Sequence, residues 1–409
     1  MQRPLEGIRV LDLTVALAGP YGSLLLGGMG AEVIRVESPS GGDIARTNPP
    51  YVGDHGFHFG APEEGDVSLT ILNRARNKKS VTIDLKSAEG RALLLDLAKH
   101  ADVVIENMSE GATGRLGVAY DDIAAVNPAI VYASIKAFGE PSIYPGTKGM
   151  DIIVQALSGI MDVTGFADGP PTRFGLPIAD LLAPLYACNG ILAALIQRGR
   201  TGKGQHVEVS MLDCLASLMA EEHFDIFSGA GYPTRSGNFT DRLVPFGVYE
   251  TSDGHVAIVA FSPAWMRGLF ETMGRPDILD DSRFATRGPR MKHASELNAM
   301  IQQWTRGHRT EEVVSLLIAR QVPCGPVRTA LEVLGDPRLR ERGAVVELEH
   351  PRHGKVGATG MGLPIRFSAA QVGFDRPAEE LGASNEAVFG GMLGLGAGEI
   401  AALKARGAI

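Results

Sequence analysis

Cysteine is scarce: Cys188, Cys214 and Cys324 are the only three in 409 residues. They are too far apart for a disulfide framework, and the first two fall in apolar helical sequence, so buried reduced thiols are expected. A basic surplus is also missing. The formal net charge of -8 and a pI near 5.7 exclude an ordinary nucleic-acid binder, which carries a basic stripe. No stretch approaches about 18 uninterrupted apolar residues, so no membrane span is expected. The chain runs from MQRPLEG straight into an apolar strand, without the apolar core of a signal peptide or an Arg- and Ser-rich presequence, so a cytoplasmic setting is expected. The ten histidines include the pairs His55/His58 and His350/His353, yet no H-E-x-x-H or C-x-x-C accompanies them, and no metal site is expected. There is no G-x-S-x-G elbow for a hydrolase serine. The turn after the first strand reads LTVALAGPYG, which lacks the dinucleotide fingerprint. Neither an internal repeat nor a low-complexity tract is present.

What remains is an ordinary globular composition, 44% hydrophobic and 21% charged, in a chain long enough for two domains. Ile8–Leu13, a helix over Tyr21–Gly30 and a strand over Ala31–Glu37 form a β-α-β unit, which requires a covered parallel sheet. Ser87–His100 reads as an amphipathic helix, Ala101–Ile105 as a buried strand, and Ile130–Ile135 as another β-rich run. This alternation predicts a doubly wound α/β domain. Residues 150–162 and Met211–Phe227 each read as one helix, Asp151 opening the first. Beyond Ser228 a Gly-rich loop leads to a hairpin, FGVYETSDGHVAIVA, turning at Asp253-Gly254, and to several helices; this region reads as a smaller α+β domain. The expected division is 1–228, 229–335 and 336–409.

The stretch from Gly169 to Ser210 holds the candidate chemistry. Pro170 and Pro171 keep it out of a helix, and an apolar run starts immediately after Asp180, so this carboxylate stands where a loop becomes a helix. Pro184 cannot give an amide to the Asp180 carbonyl, so the first turn is expected to be irregular or to start later. The helix ends in the basic turn Arg198-Gly199-Arg200. An Asp at such a place either performs chemistry or merely satisfies free amides. RARNKK, residues 74–79, is either a solvated charge run or a holder of anionic phosphates at a sheet edge. Glu106-Asn107 falls at the carboxyl end of a strand, where open α/β sheets bind ligands.

PLEGIRVLDLT, AGPYGSLLLGGMGAEVIRVE, GGDIAR, NRARNKKSVTIDLK, ADVVIENMSEGATGRLG, GPPTRFGLPIAD, GILAALIQRGRTGKGQHVEVSMLD and the segment from FGVYETSDGHVAIVA to VPCGPV follow one another in an order that resembles the family III coenzyme A transferases, the group of formyl-CoA:oxalate transferase, carnitine CoA-transferase and the α-methylacyl-CoA racemases. The resemblance covers essentially the whole chain. It implies a Rossmann-like large domain built from both chain ends, a smaller inserted α+β domain, and an interlocked homodimer.

It also implies that Asp180 is the nucleophile of an acyl-CoA:carboxylate CoA-transferase. No tightly bound cofactor is implied, only coenzyme A, carried by the acyl-CoA substrate, and a carboxylic acid acceptor. By similarity, Val15 and Ala16 line the pantetheine path, Ile83, Lys86 and Asn107 contact the adenosine part, and Arg115 and Lys148 meet phosphates. Ser38 occupies a cofactor-contact position where some relatives have arginine. Leu17 replaces a glutamine of the formyl-CoA enzyme, whose run of four glycines has no counterpart here, so formate and oxalate are not the expected substrates. The racemase alternative works by α-proton transfer and places a histidine before the aspartate matching Asp151. Met150 stands there, and a thioether carries no proton. A CoA-binding protein without turnover is the alternative outside enzymes.

Overall fold

Short strands, mostly buried on both faces except at the edge strand Gln205–Ser210, build the central sheet. The computed structural model describes residues 2–409 and divides them into two compact units: 2–159 with Phe174–Glu222 and Asp336–Ile409, and Ile160–Arg173 with His223–Gly335. In the first unit β1 (Arg9–Asp12), β2 (Glu32–Glu37), β3 (Lys78–Thr82), β4 (Val103–Glu106), β5 (Val131–Lys136) and β6 (Gln205–Ser210) pair in the order β3-β2-β1-β4-β5-β6. All five pairings are parallel, so a helix or crossover must return the chain after each strand and cover both faces. That explains why β4 and β5 are buried at every position. The order reverses between β1 and β4, the switch point beside which such sheets hold ligands.

Helix α1 (Ala18–Gly28) follows β1, α2 (Leu69–Arg74) precedes β3, and α3 (Ala88–Ala98) follows it. Ser87 caps α3 by accepting the Gly90 amide, which stops this amphipathic helix where its polar start suggests. Its inward leucines, Leu93, Leu94 and Leu97, pack with Leu11, Val104 and Tyr132 of the sheet and with Phe389, Ile400 and Ile409 from the far end of the chain. Both ends of the polypeptide therefore share one core. The hairpin Val345–His350/Gly354–Met361 also belongs to this unit.

Three expectations about helices need correction. Residues 150–162 are not one helix: α4 spans Asp151–Leu157, and a short turn of helix resumes at Ile160–Val163. Gly159 adopts φ +84° between them, a left-handed conformation that ends a helix. Likewise Met211–Phe227 divides into α6 (Met211–Glu221) and a separate helix Phe224–Gly229. His223 sits at φ +54° at that break, and the boundary between the units falls there. Finally, α5 spans Ile178–Thr201 and keeps Pro184 inside it, so it starts before Asp180 rather than after. By length and composition α5 is apolar enough to cross a membrane. It instead packs on α1, β5, β6 and α6, with Ala183, Ala187, Cys188, Ile191 and Ala194 buried.

In the second unit β7 (Phe246–Glu250) and β8 (His255–Val259) form the expected antiparallel hairpin, and β9 (Cys324–Pro326) adds to β8. Tyr249, Ile258, Leu269, Phe270, Phe284 and Ile301 fill a core of its own, shared with the helices Pro263–Thr272, Ala294–Arg306 and Thr310–Ala319.

Candidate active site

Asp180 is the third residue of α5, where four backbone amides have no partner within the helix. Pro177, at the N-cap, has no side chain able to accept them. Asp151, the first residue of α4, supplies the missing acceptor. Its Oδ1 receives the Ala179 amide at 2.9 Å and, more weakly, the Asp180 amide at 3.4 Å. Its Oδ2 receives Gln155 Nε2 at 2.7 Å, a pair one helical turn apart. Gln155 is fully buried. It accepts the Phe174 amide at 2.9 Å through Oε1 and donates to the Leu176 carbonyl at 3.2 Å. One residue pair on α4 thus holds both the loop before α5 and the first turn of α5.

The Asp180 carboxylate is left differently placed. It is partly buried and none of its oxygens has a hydrogen-bond donor among the described residues. Burial pushes its carboxyl up to about 6, and the Asp151 carboxylate beside it acts in the same direction; the Arg74 guanidinium opposes both. Desolvation disfavours the charged form, and a neighbouring anion adds to that cost. A perturbed, partly buried carboxylate held on a capped helix marks a candidate for chemistry, as against one that ties down backbone amides. That second duty belongs to Asp151.

The helix is also fixed from behind. Pro184 leaves the Asp180 carbonyl without the amide four residues on, and its ring packs instead on α1. A Cβ on Gly22 would lie 3.4 Å from Pro184 Cβ, and Cys188 Sγ, a turn later, contacts the Gly22 carbonyl at 3.5 Å. An added Cβ would sit at ordinary contact distance there, so α1 and α5 pack closely at this point without depending on glycine.

The loop from β1 to α1 passes over the switch point and is held at every peptide. Asn107, immediately after β4, donates to the Val15 carbonyl and accepts the Val15 amide, both at 2.9 Å. Ala16 adopts φ +65°, a conformation that costs a non-glycine residue about 1 kcal/mol or more. It is kept there by Asp43, which accepts its amide at 2.9 and 3.1 Å, and by Arg74 Nη1, which donates to its carbonyl at 3.0 Å. Beneath it, Asp12, Ser23 and Lys78 form a buried cluster, with Lys78 Nζ 3.0 Å from Asp12; burial pulls Lys78 down to about 8.

Every residue expected to contact coenzyme A lies in a segment leaving the carboxyl end of a sheet strand: Val15 and Ala16 after β1, Ser38 after β2, Ile83 and Lys86 after β3, Asn107 and Arg115 after β4, and Lys148 after β5. Val15, Ala16 and Asn107 are brought into direct contact. Lys86, Arg115 and Lys148 present exposed cations, and Ser38 is exposed as well. The Ile83 side chain is committed to the core.

The RARNKK segment is neither a solvated run nor a phosphate cluster. Arg76 stacks over Phe374 at 4.5 Å and donates to the Met361 carbonyl at 2.7 Å. Lys78 is buried against Asp12, and Lys79 pairs with Glu32 at 2.6 Å. These cations hold the sheet and the C-terminal segment together, and Arg74 alone of the group faces Asp180 electrostatically. The residues that sequence reading missed are Gln155 and Arg74, and Asp151 in its capping role. The weak signal for the first was the four-residue spacing of Asp151 and Gln155 on a helix.

Over residues 5–385 the chain matches CoA-transferase family III. It is 38% identical over 351 residues to the succinyl-CoA:mesaconate CoA-transferase of Haloarcula marismortui, covering 85% of this chain and 86% of that protein. It is 35% identical to the succinate–glutarate CoA-transferase of Agrobacterium fabrum, with 93% of both chains covered. To the formyl-CoA:oxalate CoA-transferase of Streptomyces avermitilis it is 35% identical over the full length of both. A crystal structure of a CAIB/BAIF family protein from Brucella suis superposes with a TM-score of 0.81 at 32% identity, covering 96% of this chain and all of the other. The chain belongs to family III of the CoA-transferases and is an enzyme of that class.

Proposed function

We propose that this enzyme moves coenzyme A from an acyl-CoA donor to a carboxylic acid through covalent intermediates on Asp180. The Asp180 carboxylate attacks the thioester carbonyl, breaking the C–S bond and giving a mixed anhydride and CoA thiolate. The thiolate attacks the aspartyl carbonyl, releasing the donor acid and leaving an aspartyl-CoA thioester. The acceptor carboxylate then attacks that thioester, forming a second anhydride and freeing the thiolate again. Attack of the thiolate on the acceptor's acyl carbon gives the new acyl-CoA and restores Asp180.

The observation that carries this reading is the Asp180 carboxylate itself, partly buried, without donors and pushed up to about 6. An anion that water and hydrogen bonds do not stabilise is a stronger nucleophile, and a site that excludes water protects the anhydride from hydrolysis. Coenzyme A enters as substrate. Its pantetheine arm runs along Val15 and Ala16, its adenosine part meets Asn107, Lys86 and the region of Ser38 and Ile83, and Arg115 and Lys148 receive its phosphates. Proton transfer α to the thioester, the racemase chemistry, has no support at position 150: Met150 is exposed and carries no proton. The proposal includes a cytoplasmic homodimer. Leu185, Tyr186 and Ile196 on α5 and Ile152 on α4 are all more than 40% exposed, an apolar surface suited to a second copy.

The test is exchange of coenzyme A between an acyl-CoA and isotopically labelled acids, with hydroxylamine added to trap an activated aspartate. Asp180→Ala should abolish exchange and trapping while CoA still binds. Near-normal turnover in that variant, or α-proton exchange without CoA exchange in the wild type, would overturn the proposal.

A further inference from the structure

Arg74 is the cation nearest in effect to Asp180, and the transferase mechanism above gives it no task. It ends α2, and among the described residues only one of the five N–H bonds of its guanidinium, on Nη1, has a partner, the Ala16 carbonyl at 3.0 Å. Arg74 and Asp180 act on each other electrostatically, yet no hydrogen bond or ion pair joins them. Asp180 is therefore not neutralised by contact, and Arg74 keeps most of its planar fork free at a half-buried position. The loop that Arg74 grips leads directly into α1, whose Gly22 lies against Pro184 of the helix that carries Asp180. The two groups thus border the same region from different elements, α2 and α5.

A guanidinium with free N–H groups in partial burial is a carboxylate receptor, because its fork matches the two oxygens of a carboxylate. The CoA phosphates are not its target: the exposed cations proposed for them, Arg115 and Lys148, follow other strands, while Arg74 sits with the proposed nucleophile. We propose that Arg74 binds the far carboxylate of a short dicarboxylic substrate, so that the enzyme's acyl donors and acceptors are dicarboxylic acids rather than monocarboxylic ones. The inference rests on Asp180 performing acyl exchange. With the far carboxylate on Arg74, the near end is delivered to Asp180. A monocarboxylic acid of the same length would instead place a methyl group against a partly desolvated cation, which is a poor exchange for the water it displaces.

Two matched self-exchange reactions test this: succinyl-CoA with labelled succinate, and butyryl-CoA with labelled butyrate. The pairs have equal chain length and differ only in the far carboxylate. Glutarate and valerate provide a second pair. The wild type should favour the dicarboxylic member by about 100-fold or more in kcat/KM. Arg74→Met should collapse that ratio by about the same factor, mainly through KM, and Arg74→Lys should keep part of it. An Arg74 that only braces the loop would lower both reactions alike, so an unchanged ratio in Arg74→Met overturns the inference. A wild type that uses both acids equally overturns it without any variant, even if Arg74→Met fails to fold. Exchange confined to monocarboxylic acids would reject the role of Arg74 alone. Exchange with no acid, and no trapped aspartate, would reject the transferase mechanism as well.

Discussion

Asp151 Oδ1 accepts the amides of Ala179 and Asp180 at 2.9 and 3.4 Å, so one carboxylate caps the helix that presents another. The cap fixes the position of Asp180, and its negative charge raises the energy of the Asp180 anion. The cap and the raised energy of the Asp180 anion come from the same side chain.

The first consequence concerns stability. The ordinary carboxyl value is 3.8, and in the folded protein Asp180 rises to about 6. Well below pH 3.8 both folded and unfolded states are protonated and the residue costs nothing. Between these values the unfolded chain ionises first, so stability falls as pH rises, and the penalty is complete above pH 6. Its ceiling is about 3 kcal/mol, and partial exposure to solvent brings the expected value to roughly 1–2 kcal/mol. Asp180→Asn should therefore be more stable than wild type in urea denaturation at pH 7.5, with the difference disappearing at pH 3.5. Equal stability at both pH values would show that the carboxylate is not held at a cost.

The second concerns rate. A nucleophilic Asp180 must be ionised, so kcat/KM should rise through an acidic limb near pH 6. Asp151→Asn removes the neighbouring negative charge and should move that limb downward. It should also lower kcat, because Gln155 Oε1 is already engaged by the Phe174 amide and Gln155 cannot turn to suit an Asn amide. A pH–rate profile of the two proteins decides this; a limb that stays in place would remove Asp151 as a source of the shift.

Asn107 makes a third. It grips both polar groups of the Val15 peptide and pins the loop that the pantetheine arm is proposed to follow. Asn107→Ala should raise KM for acyl-CoA by about tenfold, the effect of losing one or two hydrogen bonds, with a smaller change in kcat. Asn107→Asp can accept but not donate and should fall between. Steady-state kinetics with acyl-CoA as the varied substrate provide the readout.

The exposed cations make a fourth. Arg115→Ala and Lys148→Ala should each weaken CoA binding by about three- to tenfold in calorimetry, with a shallower dependence on salt than wild type. Pantetheine lacks the phosphates of the nucleotide end, and its binding should not change. Equal losses for CoA and pantetheine would place these residues away from the nucleotide end.

Local chemistry carried a large part of this protein in plain view. The apolar runs of β1, β2, β4 and β5 with helices between them required a parallel sheet, because only covered strands are apolar on both faces. The proline-rich loop running into an apolar stretch put Asp180 at a helix start, and the DG turn located the hairpin of the second unit. These features depend on neighbours within one turn of the chain. Folding alone decided which carboxylate would cap α5 and which would stand partly buried upon it, since Asp151 reaches α5 across 28 residues of sequence. It also decided that Lys78 and Arg76, which look like surface charge in RARNKK, would be buried while Arg74 remained available. Charge has no periodicity that reports burial; whether a lysine meets water or an Asp12 depends on the strand order β3-β2-β1, and strand order is a property of the assembled sheet.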